Sequence, residues 1–295
     1  MLPSPHPLRP STRRTSTAWR AWRFRVTLSA PTFICLLTTL AIASAAHASS
    51  QVTLSDLTSS VKFDSDNGLV EWKINGKNYL KQQWFWYRIG ASGPEYSLDS
   101  LPDKQPVKSA DNNFNTGIDT VSLRYADLAQ GLQVDVVYVL SGVESGTQSD
   151  ITEAITIKNK RTGPMSLHFF QYADLDLGEP DKITFPDGHS VRQEASTGVV
   201  ACETVITPMP TYREANAEFI TLASLIDLNP TILDGQASAE GQVTWAFQWD
   251  VTIPAGGSFQ ISKDKQITPE PGALTFLVLG GLLTAMRRKS SVRSV

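Results

Sequence analysis

Leu132-Gln-Val-Asp-Val-Val-Tyr-Val-Leu140 carries the pattern that decides the fold. Leu132, Val134, Val136, Tyr138 and Leu140 are apolar, while Gln133 and Asp135 point the other way. Side chains alternate across a strand with a period of two, so this stretch reads as a half-buried antiparallel strand. Ile151, Ile155 and Ile157 repeat the pattern against Thr152, Ala154 and Thr156. The turns agree with the strands. Asp66-Asn67-Gly68 separates Val61-Lys62-Phe63 from Leu69-Val70-Glu71-Trp72, and Asn75-Gly76 separates that run from Tyr79-Leu80. Asn-Gly supplies the positive φ angles that a two-residue hairpin needs, which predicts a three-stranded meander at the start of the domain. Asp64-Ser65-Asp66-Asn67-Gly68 has a passing likeness to an EF-hand loop. Its Gly comes one residue early and no closing Glu follows at the right distance, so it reads as a hairpin turn. Val251-Thr252-Ile253 and Phe259-Gln260-Ile261-Ser262 flank the turn Pro254-Ala255-Gly256-Gly257 as the last strands. No segment of 49–268 sustains a helical period, and Glu214 to Ile226 is the best candidate for a short helix. Loops are expected over 91–118, 141–149, 178–190 and 228–241. The expected body is all-β, an antiparallel β-sandwich of roughly fourteen strands.

Both ends differ from this body. Residues 1–25 hold six arginines and no acid, Val26 to Ala45 is apolar, and Ala46-His47-Ala48 has the small-x-small form of a signal peptidase site. Residues 1–48 therefore read as a secretory signal peptide, cut after Ala48, which implies the Sec translocon and signal peptidase as partners. At the other end, Pro269-Glu270-Pro271 precedes an apolar run of fifteen residues, Gly272 to Met286, and then Arg287-Arg288-Lys289. At about 1.5 Å per residue the run is about 22 Å long, short of a hydrocarbon core of about 30 Å. Pro opens a helix and the basic residues stop its transfer, so 272–286 reads as a weak transmembrane helix. The three parts in this order resemble the PEP-CTERM sorting signal of Gram-negative bacteria, which an exosortase recognises. That resemblance covers 269–295 and implies an exported protein, first an inner-membrane-anchored precursor and, after processing, one at the cell surface or outside the cell.

Removing the ends changes the electrostatics. Six arginines precede residue 49 and four basic residues follow Met286, while all acids lie between 49 and 270; that leaves 16 basic against 29 acidic groups, about −13. A surface this acidic repels phosphate, so no nucleic-acid partner is expected. Cys35 leaves with the signal and Cys202 alone remains, so the mature chain makes no internal disulfide. Cys202 follows Val199-Val200-Ala201 and reads as a buried strand residue. Stability must come from burial, for which about 220 residues suffice.

Three constellations could carry chemistry. In Leu167 to Asp181 the odd positions Leu167, Phe169, Ala173, Leu175 and Leu177 form an apolar face interrupted only by Gln171. The even positions His168, Phe170, Tyr172, Asp174 and Asp176 form the opposite one. Two residues along a strand put Asp174 and Asp176 about 7 Å apart. With Glu179 and Asp181 they could hold Ca²⁺, a hard cation that takes oxygen ligands, or else bond loop amides. Second, Trp84-Phe85-Trp86-Tyr87 and Trp245, Phe247 and Trp249 line strand faces. Such rings either fill a core or stack on sugars, which makes Trp84, Trp86, His168 and Tyr172 candidate glycan contacts. Arg88 is a polar neighbour of this cluster without an assigned role. Third comes an acid/base pair for sugar chemistry. Thr156-Ile157-Lys158-Asn159-Lys160 and His168-Phe169-Phe170, within Ile155 to Asp176, resemble a strand pair of galactose mutarotase-like β-supersandwiches. His168 is not thereby secured as that family's catalytic histidine. No nucleophile elbow, zinc spacing, P-loop or dinucleotide motif occurs in the sequence.

The body also resembles β-rich proteins that carry the same sorting signal, chiefly in His168 to Leu177, Trp245 to Asp250 and Ile261 to Lys265. That likeness brings no activity with it. The expectation from sequence is a non-catalytic surface or extracellular-matrix protein without cofactor, sorted with exopolysaccharide. The alternatives are a sugar-active enzyme of the supersandwich type and a Ca²⁺-stabilised structural module.

Overall fold

A computed structural model describes residues 50–105, 107–113 and 117–269. The expected signal peptide, with Ala46 and Ala48, and the sorting signal beyond Pro269, with the helix 272–286, lie outside the described residues. Among the described residues no helix is long and apolar enough to cross a membrane.

The elements in chain order are β1 (Gln51–Asp56), β2 (Ser59–Asp64), β3 (Gly68–Ile74), β4 (Lys77–Asn78), β5 (Leu80–Ile89), β6 (Tyr96–Ser97), β7 (Asp103–Lys104) and β8 (Lys108–Ala110). There follow β9 (Thr120–Asp127), β10 (Leu132–Gly142), β11 (Ser149–Asn159), β12 (Met165–Leu175), β13 (Asp181–Thr184), β14 (Ser190–Ala195), β15 (Val200–Thr207) and β16 (Tyr212–Ala217). The helix α1 (Ile220–Ile226), β17 (Ser238–Gly241), β18 (Val243–Ile253) and β19 (Ser258–Thr268) complete the chain. One sheet has the order β1-β2-β3-β5-β12-β18-β16, and the other β17-β13-β14-β15-β19-β11-β10-β9-β7. The ladders are antiparallel, as in β10–β11, which runs in unbroken register from Leu132↔Asn159 to Gly142↔Ser149.

The hairpins form where the turn chemistry predicts. Asn75 and Gly76 both have positive φ, 51° and 82°, and join β3 to β4. Asp64 Oδ1 accepts the Asp66 N–H at 2.8 Å and closes the turn to β3. Two expectations change. The segment Glu214 to Ile226 is not one helix: its start belongs to β16, and only Ile220–Ile226 is helical. The pairing of β16 with β18 overrides the local pattern. Short strands also lie inside expected loops, among them β6, β7 and β8 within 91–118, because two- or three-residue strands show no period.

The sheets meet over one apolar core. Phe85 stacks on Phe169 with centroids 5.3 Å apart, and Phe63 on β2 reaches Tyr138 on β10 at 5.9 Å. Each such ring or aliphatic chain contributes about 1.5–3 kcal/mol when fully buried. Trp72 Nε1 donates to Ser149 Oγ at 2.9 Å and ties the sheets together.

The same interior holds charges. Glu153 on β11, Glu203 on β15 and Lys263 and Lys265 on β19 are all buried. Lys263 Nζ lies 3.0 Å from Glu153 and 3.3 Å from Glu203, and Lys265 lies 3.0 Å and 3.5 Å from the same two. From the facing sheet Gln83 donates to Glu153 and Gln171 donates to Glu203. Burial alone would raise the Glu153 pKa, but the ammonium groups of Lys263 and Lys265 overcome it and hold the carboxyl below its ordinary value. Two positive and two negative groups make a balanced buried cluster. Gln171, the one interruption of the apolar face of β12, is its partner across the core.

Candidate functional site

β12 runs through the middle of its sheet between β5 and β18. Its odd residues face the core, so the even ones line the outer face of the sheet. In register order that face carries Arg88, His168 and Asp250 in one row, and Trp86, Phe170 and Gln248 in the next. Tyr172 stands between Trp84 and Ala246, and Glu214 on β16 follows beyond Ala246.

This face is covered over most of its length. The irregular segment 227–237, a strap that follows α1, lies across it. Thr231 N–H donates to Glu95 Oε1 at 2.9 Å, Leu233 N–H to Gln248 Oε1 at 2.9 Å, and Asp234 N–H to Glu214 Oε2 at 2.9 Å. Arg88 reaches the Thr231 carbonyl at 3.1 Å while its Nε pairs with Glu95 Oε1 at 2.7 Å, and both ionic side chains are buried. As open-surface glycan contacts Trp84, Trp86 and Tyr172 are therefore corrected: all three are buried in this structure. Trp84 Nε1 donates to Ser97 and Asp99, on the segment that covers that end, and Trp86 packs edge-on against Tyr172 with centroids 6.1 Å apart. The rings belong to the hydrophobic core, and Trp84 also packs against Phe63 and Tyr125 with centroids 6.1 Å and 5.8 Å away.

His168 is the part of the face left open. Its Nδ1 lies 2.7 Å from Asp250 Oδ1, with 17% of the His and 27% of the Asp side chain exposed. Gln248 Nε2 donates to the same Asp250 oxygen at 2.7 Å, and the Asp250 backbone N–H donates to Thr211 Oγ1 at 2.9 Å. A carboxylate only accepts, so Nδ1 of the imidazole carries a proton, and in the neutral ring Nε2 is the nitrogen left to accept one. A base oriented by a fixed carboxylate is the working half of a proton-transfer site. Sequence reasoning named His168 but missed its partner. Gln248 and Asp250 alternate with Trp245, Phe247 and Trp249 and so share the opposite face of β18, but only the register of β12 on β18 pairs Asp250 with His168.

The four carboxylates considered for Ca²⁺ lie at the far end of β12. Asp174, Asp176, Glu179 and Asp181 border a niche with Lys81, Glu218 and Gln242. Asp174 and Asp181 are buried, whereas Asp176 and Glu179 are exposed beyond the end of the strand. Asp181 belongs to the other sheet, where Gln193 Nε2 donates to its Oδ2 at 2.8 Å. Among the described residues no three His, Cys, Asp or Glu side chains are grouped as a metal site. The cation of the niche is Lys81, paired with Glu218 at 3.0 Å. Burial pushes the Asp174 carboxyl up to about 6; Lys81 opposes the shift, and Glu218 and Asp176 add to it. Six residues separate Asp174 from His168, about 20 Å along the strand, so the two do not share a site. Cys202, expected to be buried, is half-buried with its Sγ 3.9 Å from Arg192 Nη1.

No family model matches the chain, and a search of curated proteins finds no match. Solved structures do align with it. A candidate aldose 1-epimerase from Escherichia coli K12 is 9% identical, with 75% of this chain and 99% of that one covered and a TM-score of 0.44. A galactose mutarotase-like protein from Lactobacillus casei ATCC 334 is 9% identical, with 74% and 100% covered and a TM-score of 0.45. A protein of Synechocystis sp. PCC 6803 is 11% identical, with 76% and 97% covered and a TM-score of 0.45. The expectation of a non-catalytic matrix protein associated with exopolysaccharide gives way here: two of these three neighbours are named for sugar-epimerising enzymes, and none is named as a matrix protein. At such identities and scores the likeness carries neither a residue role nor an activity across, so the functional reading rests on the geometry of the site.

Proposed function

We propose that the chain is a sugar-active enzyme with a supersandwich-like body, exported by its N-terminal signal, in which His168 and Asp250 move a proton at a hydroxyl of a neutral carbohydrate. The 2.7 Å contact of His168 Nδ1 with Asp250 at the open end of an otherwise covered face carries this reading. Nε2 takes the proton, and the Asp250 carboxylate stabilises the imidazolium that forms. The surrounding acidity, about −13 between residues 49 and 270, disfavours anionic substrates. On this reading the Pro269–Lys289 signal delivers the enzyme to an exosortase, and mass spectrometry of the mature C-terminus checks that processing.

The activity is tested by following anomer exchange of a panel of aldoses by NMR with the exported protein. His168→Gln should lower the catalysed rate by about 10²- to 10⁴-fold with an unchanged melting temperature. Equal rates with and without the protein for every aldose would sink the reading.

A further inference from the structure

The outer face beneath the strap is packed, with Trp86, Tyr172 and Leu233 buried, but it also gathers polar acceptors. Its acceptors come from three separate elements: Glu95 from the β5–β6 connection, Gln248 from β18 and Glu214 from β16. Each accepts a backbone N–H of a single irregular segment, from Thr231, Leu233 and Asp234, and Glu95 and Glu214 also accept from Arg88 and Thr221. Aromatic rings, Trp86 and Tyr172, form the floor between them. The fit is incomplete, because Glu95 Oε2 is buried without a hydrogen-bond partner in the described structure. A buried carboxylate oxygen left unpaired keeps its desolvation cost, which a ligand hydroxyl would recover. The strap has no regular structure of its own. Its outer side bares two large apolar side chains among polar ones: Leu228 is 84% and Ile232 63% exposed, as is the neighbouring Ile226 at 64%. Few buried apolar contacts and non-repetitive hydrogen bonds mark the low-stability end of a structure, where openings occur.

We infer that the strap 227–237 occupies a latent carbohydrate groove, and that a neutral saccharide binds Glu95, Gln248 and Glu214 over Trp86 and Tyr172 when the strap lifts. Hydroxyls donate as the strap amides do, and sugar faces stack on aromatic rings. Arg88, which loses the Thr231 carbonyl on opening, is the cross-strand neighbour of His168, so the groove ends at the proposed base. The inference rests on the sugar-active reading and adds the place and the gating of the substrate. Affinity in the closed state is reduced by the fraction of molecules that are open.

Hydrogen exchange of the full exported protein with a panel of neutral mono- and disaccharides tests it, together with Leu233→Ala, which removes an inward strap anchor. Bound saccharide should speed exchange at the amides of Thr231, Leu233 and Asp234, and Leu233→Ala should tighten saccharide binding about tenfold or more. Saccharide binding that leaves these amides protected would overturn the groove. So would the absence of any binding by both wild type and Leu233→Ala. If Leu233→Ala does not fold, the wild-type amides still decide. Binding in the groove without any anomer exchange would keep the groove and remove the catalytic reading; anomer exchange with the strap still protected would do the reverse.

Discussion

The inside of the sandwich and the face under the strap solve one problem in two ways. Both bury polar and charged side chains. Between the sheets Glu153, Glu203, Lys263 and Lys265 are matched by one another and by Gln83 and Gln171, all fixed on strands in register. Under the strap Glu95, Gln248 and Glu214 each accept from the main chain of one irregular segment, while Glu95 also keeps Arg88 and Glu214 also keeps Thr221 as partners. Partners on strands leave only when the sheets part, whereas partners on a strap can leave together. The inner cluster therefore belongs to global stability and the outer face to a local opening.

The largest effect to break this comparison comes from Lys263→Met. It leaves Glu153 and Glu203 with Lys265 as their remaining ammonium partner, and urea denaturation should show a loss of about 3–5 kcal/mol. Glu153→Leu combined with Lys263→Leu should return much of that loss, since a buried pair replaced by apolar groups is often neutral. A cost near zero for the single change would mean that the inner cluster does not hold the sheets. Gln248→Ala comes next, with an expected cost of about 1–3 kcal/mol for the acceptor and donor it removes. Its signature should be local, with faster exchange at Leu233 while the amides of β10 and β11 stay protected. Uniform loosening of both regions would erase the distinction.

The smallest effect is a pH dependence. The Asp174 pKa, raised to about 6 from 3.8 by burial first, means that the folded state holds the proton to a higher pH than the unfolded chain. Stability from this group is therefore lost as pH rises from about 4 to about 6. Asp174→Asn should remove that slope. In a partly solvated niche the gain at pH 7.5 should be about 1 kcal/mol, and near zero at pH 3.5, by chemical denaturation at the two pH values.

The strands were legible because their two faces differ. Leu132 to Leu140 and Ile151 to Ile157 show this plainly, and β10 and β11 pair along their whole length. The inner charges were legible only in part. Glu153 sits in phase with Ile151 and Ile155, and Lys263 and Lys265 sit in phase with Ile261 and Ile267, yet phase alone does not say which carboxylate meets which ammonium. Gln171 broke the apolar face of β12 for the same reason, and its partner Glu203 lies 32 residues on. The candidate site was less legible still. His168 was recognised as an outward residue, but its pairing with Asp250 spans 82 residues and depends on one register between β12 and β18. The segment 228–241 read as a loop, and nothing in its composition says that its amides meet three acceptors on other elements.

The strap has a second consequence, at the margin of the sheet rather than over its face. β16 is the terminal strand of its sheet, and terminal strands offer unpaired backbone groups to other chains. The Ala215 N–H donates to the Gln236 carbonyl at 3.0 Å, so the end of the strap blunts that margin. A chain whose strap is deleted or displaced would bare β16 together with the groove. Self-association through β16 is then the natural hazard of opening, and it sets a limit on how far the strap can swing in a protein that stays monodisperse.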